Sequence, residues 1–524
     1  MTPPLEIPLR FNIAEWFLDR PAEAHPGRIA ILGEPVAVRY GELRDLANRA
    51  GNALLESGCR LGDRVLIVLS DSAEFIAAFF GAAKIGAIAV PVNSFARTRD
   101  YAYFLKDSGA SFAIVDHTSL AEFLPAANGK KLTVVAVGGS VNRSVHADWT
   151  RWVAASSSEL SPYPTAASDP AFLLYTSGSG GQPKAAAHQH KDMLVTTRGY
   201  AEGVLEIRPD DRFFSVSKLF FAYGLGNGMY FPLSVGAGMV LNPEKTRVER
   251  VVELISLHRP TIFFGVPTFY AAVLQAASRG LAVDLSSVRL AVSAGEPLPA
   301  EVFNQVRERF GIEILDGIGS TEMLHIFISS RKGSARPGSC GQPVPHYKIR
   351  VLTDGGEPTP AGEIGNLWVK GESAFAEYWN QPDYTARVKI DGWVGTGDKF
   401  VSDTDGYYYY CGRSDDMIKV SGMWVSPVEV ENALLSDERV AEAAVIGIND
   451  GSGLVKSIAY VVLATATEPS AELATSIREA VRAKLVHYKC PREIYFVGEL
   501  PRTITGKIQR FVLRERGGRE RPEI

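Results

Sequence analysis

Short, uninterrupted apolar runs alternate with helical stretches along roughly the first 400 residues, and no other feature of the sequence narrows the fold as much. RVLIVLS (64–70) reads as a strand, AEFIAAFFGAAKIG (73–86) as a helix, and AIAVPV (87–92) and FAIVD (112–116) as strands; TIFFGVP (261–267) and RLAVSAG (289–295) repeat the form. Strands that are apolar on both faces need cover on both faces. The pattern therefore predicts an α/β protein whose large N-terminal domain is built of mostly parallel βα sheets. The longest apolar stretch, FIAAFFGAAKIGAIAVPV from Phe75, is broken by Lys84 and by glycine and proline, so a buried helix running into a strand is expected rather than a membrane span.

After about residue 350 the pattern changes. Hairpin-like pieces punctuated by DGG, DGW and DTDG lead to YYYYCGRSDD, which predicts a smaller antiparallel β-rich unit. From Met417 the chain reads as a compact α+β module: helix VEVENALL, strands EAAVIGI and SIAYVVL, helix ELATSIREAVRAKL, then a loop through PRTITGKIQR. The best cut falls between Arg413 and Asp416, giving a large domain over 1–413 and a small one over 414–524. A chain of 524 residues is long enough for that division.

A hydrophobic fraction of 46% and a charged fraction of 22% are those of a globular protein. The net charge of -4 argues against a nucleic-acid partner. Cys59, Cys340, Cys411 and Cys490 lie far apart with no CxxC pair, as expected for reduced thiols. The N-terminal segment MTPPLEIPLRFNIAEWFLDR has no apolar export core, so a cytoplasmic location is expected.

One stretch carries a chemical signal of its own. In YTSGSGGQPKAAAHQH (175–190), small residues let backbone N–H groups converge on a phosphate, and the hydroxyls of Thr176, Ser177 and Ser179 beside Gly178 can add donors, with Lys184 close behind. It is not a Walker A loop, because Pro183 precedes Lys184 and Ala185 follows it. By itself the stretch reads equally as a phosphate loop or as a plain Gly/Ser surface loop.

TSGSGGQPK at 176, SAGEPL at 293, DGIGSTE at 316, GWVGTGD at 392, GRSDDMIKVSG at 412 and PRTITGK at 501 occur in that order, and together they resemble the acyl-adenylate-forming superfamily of acyl-CoA synthetases, adenylation domains and luciferases. The resemblance implies ATP, Mg²⁺ and coenzyme A as cofactors and a small C-terminal domain that moves. It implies that Gly295, Glu296 and Pro297 offer backbone to the adenine, with Gly317, Ile318 and Gly319 also in the nucleotide site. Asp316 is then the adenine-side acceptor, Thr321 the hydroxyl on the α-phosphate and Glu322 the Mg²⁺ carboxylate, a donor set suited to an ion that takes its other ligands from water and substrate. Asp398 is implied as the ribose acceptor, Arg413 as a ribose or phosphate partner, Asp415 as the hinge and Gly422 as the wall of a thiol tunnel. Lys507 is implied as the catalytic cation that bridges the carboxylate and α-phosphate oxygens during adenylation.

SKLFFAYGLGNG (217–228) followed by DGIGSTEMLHIF looks like the benzoate-CoA ligase group in particular. That likeness implies an acid pocket of Ala222, Tyr223, Ala294, Gly319, His325 and Ile326, and a reaction in which benzoate or an amino- or hydroxy-substituted benzoate, for example anthranilate, becomes an acyl-AMP and is then passed to CoA. An aryl-acid adenylating enzyme that loads a separate carrier protein is the alternative, and a non-catalytic relative is a third reading. The implied partners are small molecules only, with no nucleic acid and no membrane span, in a monomer or homodimer. Lys218 is expected near the CoA or the carboxylate, and His188 with His190 lacks a third metal ligand nearby in sequence. Gly180 and Ala185 stand where the superfamily usually has threonine and glycine, which predicts a weaker grip on MgATP.

Overall fold

The structure is a computed structural model that describes residues 5–33, 37–139, 145–176, 182–420, 423–449, 455–464, 467–502 and 508–517. Two large sheets carry the N-terminal part. In the first, strands run in the order Glu377–Tyr378, Lys184–Gln189, Pro170–Thr176, Ile88–Pro91, Arg64–Val68, Phe112–Asp116, Thr133–Val137 and Ala147–Asp148. Its pairs are parallel from Pro170–Thr176 onward and antiparallel at the other edge, where the strands flanking the glycine loop form a hairpin. The second sheet has Ile314–Gly319, Leu290–Ser293, Ile262–Gly265, Arg212–Ser215, Gly238–Val240 and Ile29–Leu32 side by side and parallel, with antiparallel pairs at both ends.

The apolar run from Phe75 becomes the helix Ala73–Lys84 followed by the strand Ile88–Pro91, as its pattern predicts. Ser72 caps the helix by accepting from Phe75 N–H, and every residue from Phe75 to Lys84 is buried. Lys84 keeps its charge inside because its ammonium meets Asp19 at 2.7 Å and Asn48 Oδ1 at 2.6 Å. Among the described residues no helix is long and apolar enough to cross a membrane.

Lys348–Leu352, Gly365–Lys370, Trp393–Ser402, Tyr408–Arg413 and Lys389–Ile390 form a wholly antiparallel five-stranded sheet, which is the β-rich unit expected after residue 350. Beyond it, Val440–Asn449, Val455–Leu463 and Glu493–Phe496 make a three-stranded sheet covered by the helices Pro427–Leu435 and Ala471–Arg482. Val425, Val430, Leu434, Val445, Ala459 and Ile477 give this part a core of its own, separate from the large one. Cys59, Cys340 and Cys411 are buried, Cys490 is partly so, and all are free.

One buried ion pair joins loops of the two large sheets. Asp71, just after the strand Arg64–Val68, accepts Leu219 N–H at 2.9 Å, and its other oxygen lies 3.6 Å from Lys218 Nζ. Lys218 also donates to the carbonyls of Asn242 and Glu244, so it anchors the chain at 217–222. Burial raises the Asp71 carboxyl to about 6, with Lys218 opposing the shift. A raised native pKa adds stability that is complete below the unfolded value near 4 and is lost as pH rises through about 6. Relative to Asp71→Asn, the unaltered protein should therefore gain about 2 kcal/mol between pH 7 and pH 4, measured as the change in their stability difference in denaturant titrations.

Candidate active site

The carboxyl ends of strands from both large sheets converge where the motifs lie, the usual place for a ligand in an open α/β sheet. Ser293 pairs with Asp316, so the turn at Gly295–Pro297 and the strand Ile314–Gly319 leave the sheet side by side. Gly295 sits at φ +93°, a conformation that excludes most side chains. The register slips between Ile318 and Gly319, and this irregularity turns the chain into the short helix Thr321–Met323. Leu324 follows at φ +67°, an uncommon backbone for a residue with a side chain. Gly319 is needed here because a Cβ would stand 2.5 Å from His325 O.

Thr321–Met323 is anchored from several directions at once. Thr321 O meets His188 Nε2 at 2.8 Å, Glu322 O accepts Phe375 N–H at 2.7 Å, and Met323 O accepts Ser373 Oγ at 2.9 Å. Tyr378 donates its hydroxyl to Glu322 Oε1 at 2.6 Å. Burial and the adjacent carboxylate hold the Tyr378 hydroxyl well above its ordinary range, with Arg413 opposing, so it stays a donor. Sequence reasoning missed Tyr378: EYW contains no motif, and only the pairing of Tyr378 with Ala186 brings it under Glu322. Tyr384 packs on Tyr378 with ring centres 5.3 Å apart and carries Lys184 Nζ 4.3 Å above its face. Lys184 and Thr176 are register partners at the base of the glycine loop. The loop residues Ser177, Gly178, Ser179 and Gly180 lie outside the described residues.

A Tyr378→Phe variant should lose a hydrogen bond to a charged group, about 1.5 kcal/mol, and so raise the MgATP KM roughly tenfold. Initial rates with ATP and acid varied in turn check this, because the acid KM should stay put.

Asp398 and Arg413 are partners across the antiparallel sheet and meet at 3.0 Å. Arg413 also donates to Thr396 O at 2.8 Å. Gly397, at φ +74°, lets the guanidinium approach, since a Cβ there would stand 2.9 Å from Arg413 Nη2. Asp316 is 6% exposed, and its Oδ1 has no hydrogen-bond partner among the described residues. Burial pushes its carboxyl well above the usual range, with hydrogen bonds from Cys340 and Gly317 opposing the shift.

Beside these groups lies a cluster of aromatic rings. The His325 ring centre is 5.6 Å from that of Tyr223, 5.1 Å from Tyr200 and 4.6 Å from Phe231. Its Nε2 meets Asn227 Oδ1 at 3.1 Å, and burial lowers its pKa to about 3, which keeps the ring neutral. Tyr223 donates to Gly265 O at 3.2 Å, while Ala222, Ala294 and Ile326 are buried around the rings. Tyr200 and Asn227 carried no signal in sequence, since a tyrosine in a helix and an asparagine among glycines fit many environments.

His188 and His190 do not form a metal pair. His190 Nδ1 accepts Ile13 N–H at 3.2 Å and burial lowers its pKa to about 4, while His188 is bound to Asp192 and Thr321. Among the described residues no group of three His, Cys, Asp or Glu side chains is placed to hold a metal. A single carboxylate completed by phosphate oxygens and water is a different kind of site, and Glu322 Oε2, beside the Tyr378-bound Oε1, fits it.

In the C-terminal part, Asp416 pairs with Arg514 at 2.8 Å, and Arg514 donates to Asp415 O at 3.5 Å. Gly422 and Lys507 lie outside the described residues; Arg502 and Ile508, on either side of 503–507, form an antiparallel bridge.

Comparison with known proteins bears on both parts. The family model for the AMP-binding enzyme matches residues 18–379, and the model for the AMP-binding enzyme C-terminal domain matches 429–507. The chain is 43% identical over 520 residues to a benzoate–CoA ligase of Thauera aromatica, covering 98% of both chains. It superimposes with a TM-score of 0.93 on an anthranilate CoA ligase solved with anthranoyl-AMP, at 40% identity and 98% coverage of each chain. A benzoate CoA ligase from Burkholderia xenovorans gives a TM-score of 0.88 at 38% identity, over 96% of this chain and 100% of that one.

Proposed function

The chain belongs to the AMP-binding enzyme family, and from that premise we propose how its residues carry out the reaction of an AMP-forming aryl-acid CoA ligase. ATP and CoA are its co-substrates. Nearly full-length likeness to ligases whose acceptor is CoA makes CoA, not a separate carrier protein, the acyl acceptor. The acid is benzoate or an amino- or hydroxy-substituted benzoate. The observation that carries this reading is the neutral His325 ring set among Tyr223, Tyr200 and Phe231, directly beyond the backbone of Gly319. Such walls suit a flat ring and leave the carboxylate facing the nucleotide motifs.

In the first half-reaction a carboxylate oxygen of the acid attacks the α-phosphorus of ATP, the new P–O bond forms, and pyrophosphate leaves. Gly295, Glu296, Pro297 and the strand from Asp316 to Gly319 hold the adenine, with the bare Asp316 oxygen accepting from the exocyclic amine. Asp398, steadied by Arg413, accepts from the ribose hydroxyls. The loop from Thr176 to Lys184 holds the β- and γ-phosphates, and Thr321 donates to the α-phosphate. Glu322 would hold Mg²⁺, which when bound neutralises phosphate charge. Lys507 draws the two anions together. In the second half-reaction the thiol of CoA attacks the acyl carbon, the acyl–phosphate C–O bond breaks, and AMP leaves. Residues 414–524 turn about Asp415 to withdraw Lys507 and bring Gly422 to the thiol path.

A panel of benzoates with ATP, scored for pyrophosphate release and then for AMP release on adding CoA, tests the proposal. Pyrophosphate release with benzoate or an amino- or hydroxybenzoate, followed by CoA-dependent AMP release, is expected. No adenylate with any aryl acid would sink it.

A further inference from the structure

His188 and Asp192 take no part in the reaction as described, yet both are wholly buried and directly behind Thr321. His188 lies on the strand Lys184–Gln189, which leaves the glycine loop, and stacks on Phe172 with ring centres 5.2 Å apart and planes 19° apart. Asp192 is in the first turn of the following helix, where its Oδ2 accepts Gln189 N–H at 3.0 Å. His188 Nδ1 meets the same Oδ2 at 2.8 Å, and Nε2 meets Thr321 O at 2.8 Å. A carbonyl oxygen only accepts, so Nε2 carries hydrogen.

A buried acid–base pair is a costly way to fill space, and an apolar side chain of similar size often serves stability as well or better. What the pair adds is a directed donor at one carbonyl. The carbonyls of Thr321, Glu322 and Met323 are each held by a different partner, and those of Glu322 and Met323 are held from residues 373–375. Only the Thr321 carbonyl is tied to the strand that begins at Lys184.

We propose that His188, oriented by Asp192, is a positioning residue for adenylation: its Nε2–H fixes the Thr321–Glu322 peptide, and so holds the α-phosphate hydroxyl and the Glu322 carboxylate in register with the strand leaving the phosphate loop. The proposal rests on the nucleotide roles given to Thr321 and Glu322 above. The donor acts through the peptide and touches no substrate.

Two substitutions separate this role from simple packing. In His188→Asn the amide sits near the Nδ1 position and leaves the Thr321 carbonyl only the Leu324 N–H, at 3.0 Å within its own turn; in His188→Gln the longer amide restores the donor from the strand. The Asn variant should raise the MgATP KM or lower the adenylation rate by at least about tenfold, with the aryl-acid KM within about twofold of the unaltered enzyme. The Gln variant should recover most of that loss. MgATP kinetics in His188→Asn within about twofold of the unaltered enzyme, or a Gln variant as impaired as the Asn one, would overturn the proposal. Where a variant does not fold, nitrogen NMR of the unaltered enzyme labelled at histidine decides: a protonated Nε2 at His188 from pH 6 to pH 9 is expected, and an unprotonated one overturns it. Pyrophosphate release by the unaltered enzyme is run alongside. Its absence with every aryl acid would defeat the function proposed above, while the ring-nitrogen result would still judge the His188 assignment.

Discussion

Replacing Lys507 with alanine should slow adenylate formation by about 10²- to 10³-fold, a loss on the order of 3–4 kcal/mol for one well-placed charge in the transition state. The size follows from what the residue is asked to do. Acid and triphosphate are both anions, and a lysine bridging their oxygens offsets the repulsion while setting the attacking oxygen in line. The second half-reaction needs no such cation, so the variant should still transfer the acyl group from supplied acyl-adenylate to CoA at close to the normal rate. Pyrophosphate release and single-turnover thioester formation, measured on the same preparation, check both halves. Normal adenylation by Lys507→Ala would remove the residue from the mechanism.

Glu322→Gln should be the second most damaging change, lowering adenylation about 10²-fold and raising the Mg²⁺ concentration needed for half-maximal rate. Gln keeps the shape and can still accept from Tyr378, whose hydroxyl meets Oε1 at 2.6 Å, so the local structure should persist. The loss then reports the carboxylate charge. A Mg²⁺ titration of the rate separates this from a folding defect: a variant with an unchanged Mg²⁺ requirement and rate would show that Glu322 does not hold the ion. Tyr378→Phe should produce a smaller version of the same effect, because it orients the carboxylate without removing it.

The nucleotide motifs were legible because each is a contiguous run in which backbone and side chain act together. GSTE places Thr321 and Glu322 on one short turn, whereas the strand ahead of it, ILDGIG, was not read as a strand because its aspartate and two glycines break the apolar run. The parallel sheets were legible from contiguous runs, since IFFG and LAVS are buried along their whole length. The partners of Lys218 were not legible, because Asp71 and the carbonyls of Asn242 and Glu244 that hold its ammonium lie far from it in sequence. Tyr378 and His188 were not read as site residues because their partners are 56 and 133 residues away. No local pattern records such a separation.

By itself the sequence determined the fold class, the mostly parallel βα character of the large domain, the small C-terminal domain and the kind of reaction, because hydrophobic period and contiguous motifs are properties of neighbouring residues. Only the tertiary structure decided what surrounds those motifs: the Tyr378 hydroxyl on Glu322, the Arg413 guanidinium on Asp398, the neutral His325 among three aromatic rings and the His188–Asp192 pair behind Thr321. Those contacts depend on which strand edges pair and which side chains burial leaves facing one another. Burial in turn shifts their proton affinities, lowering the His325 pKa to about 3 and raising the Asp316 carboxyl well above the usual range.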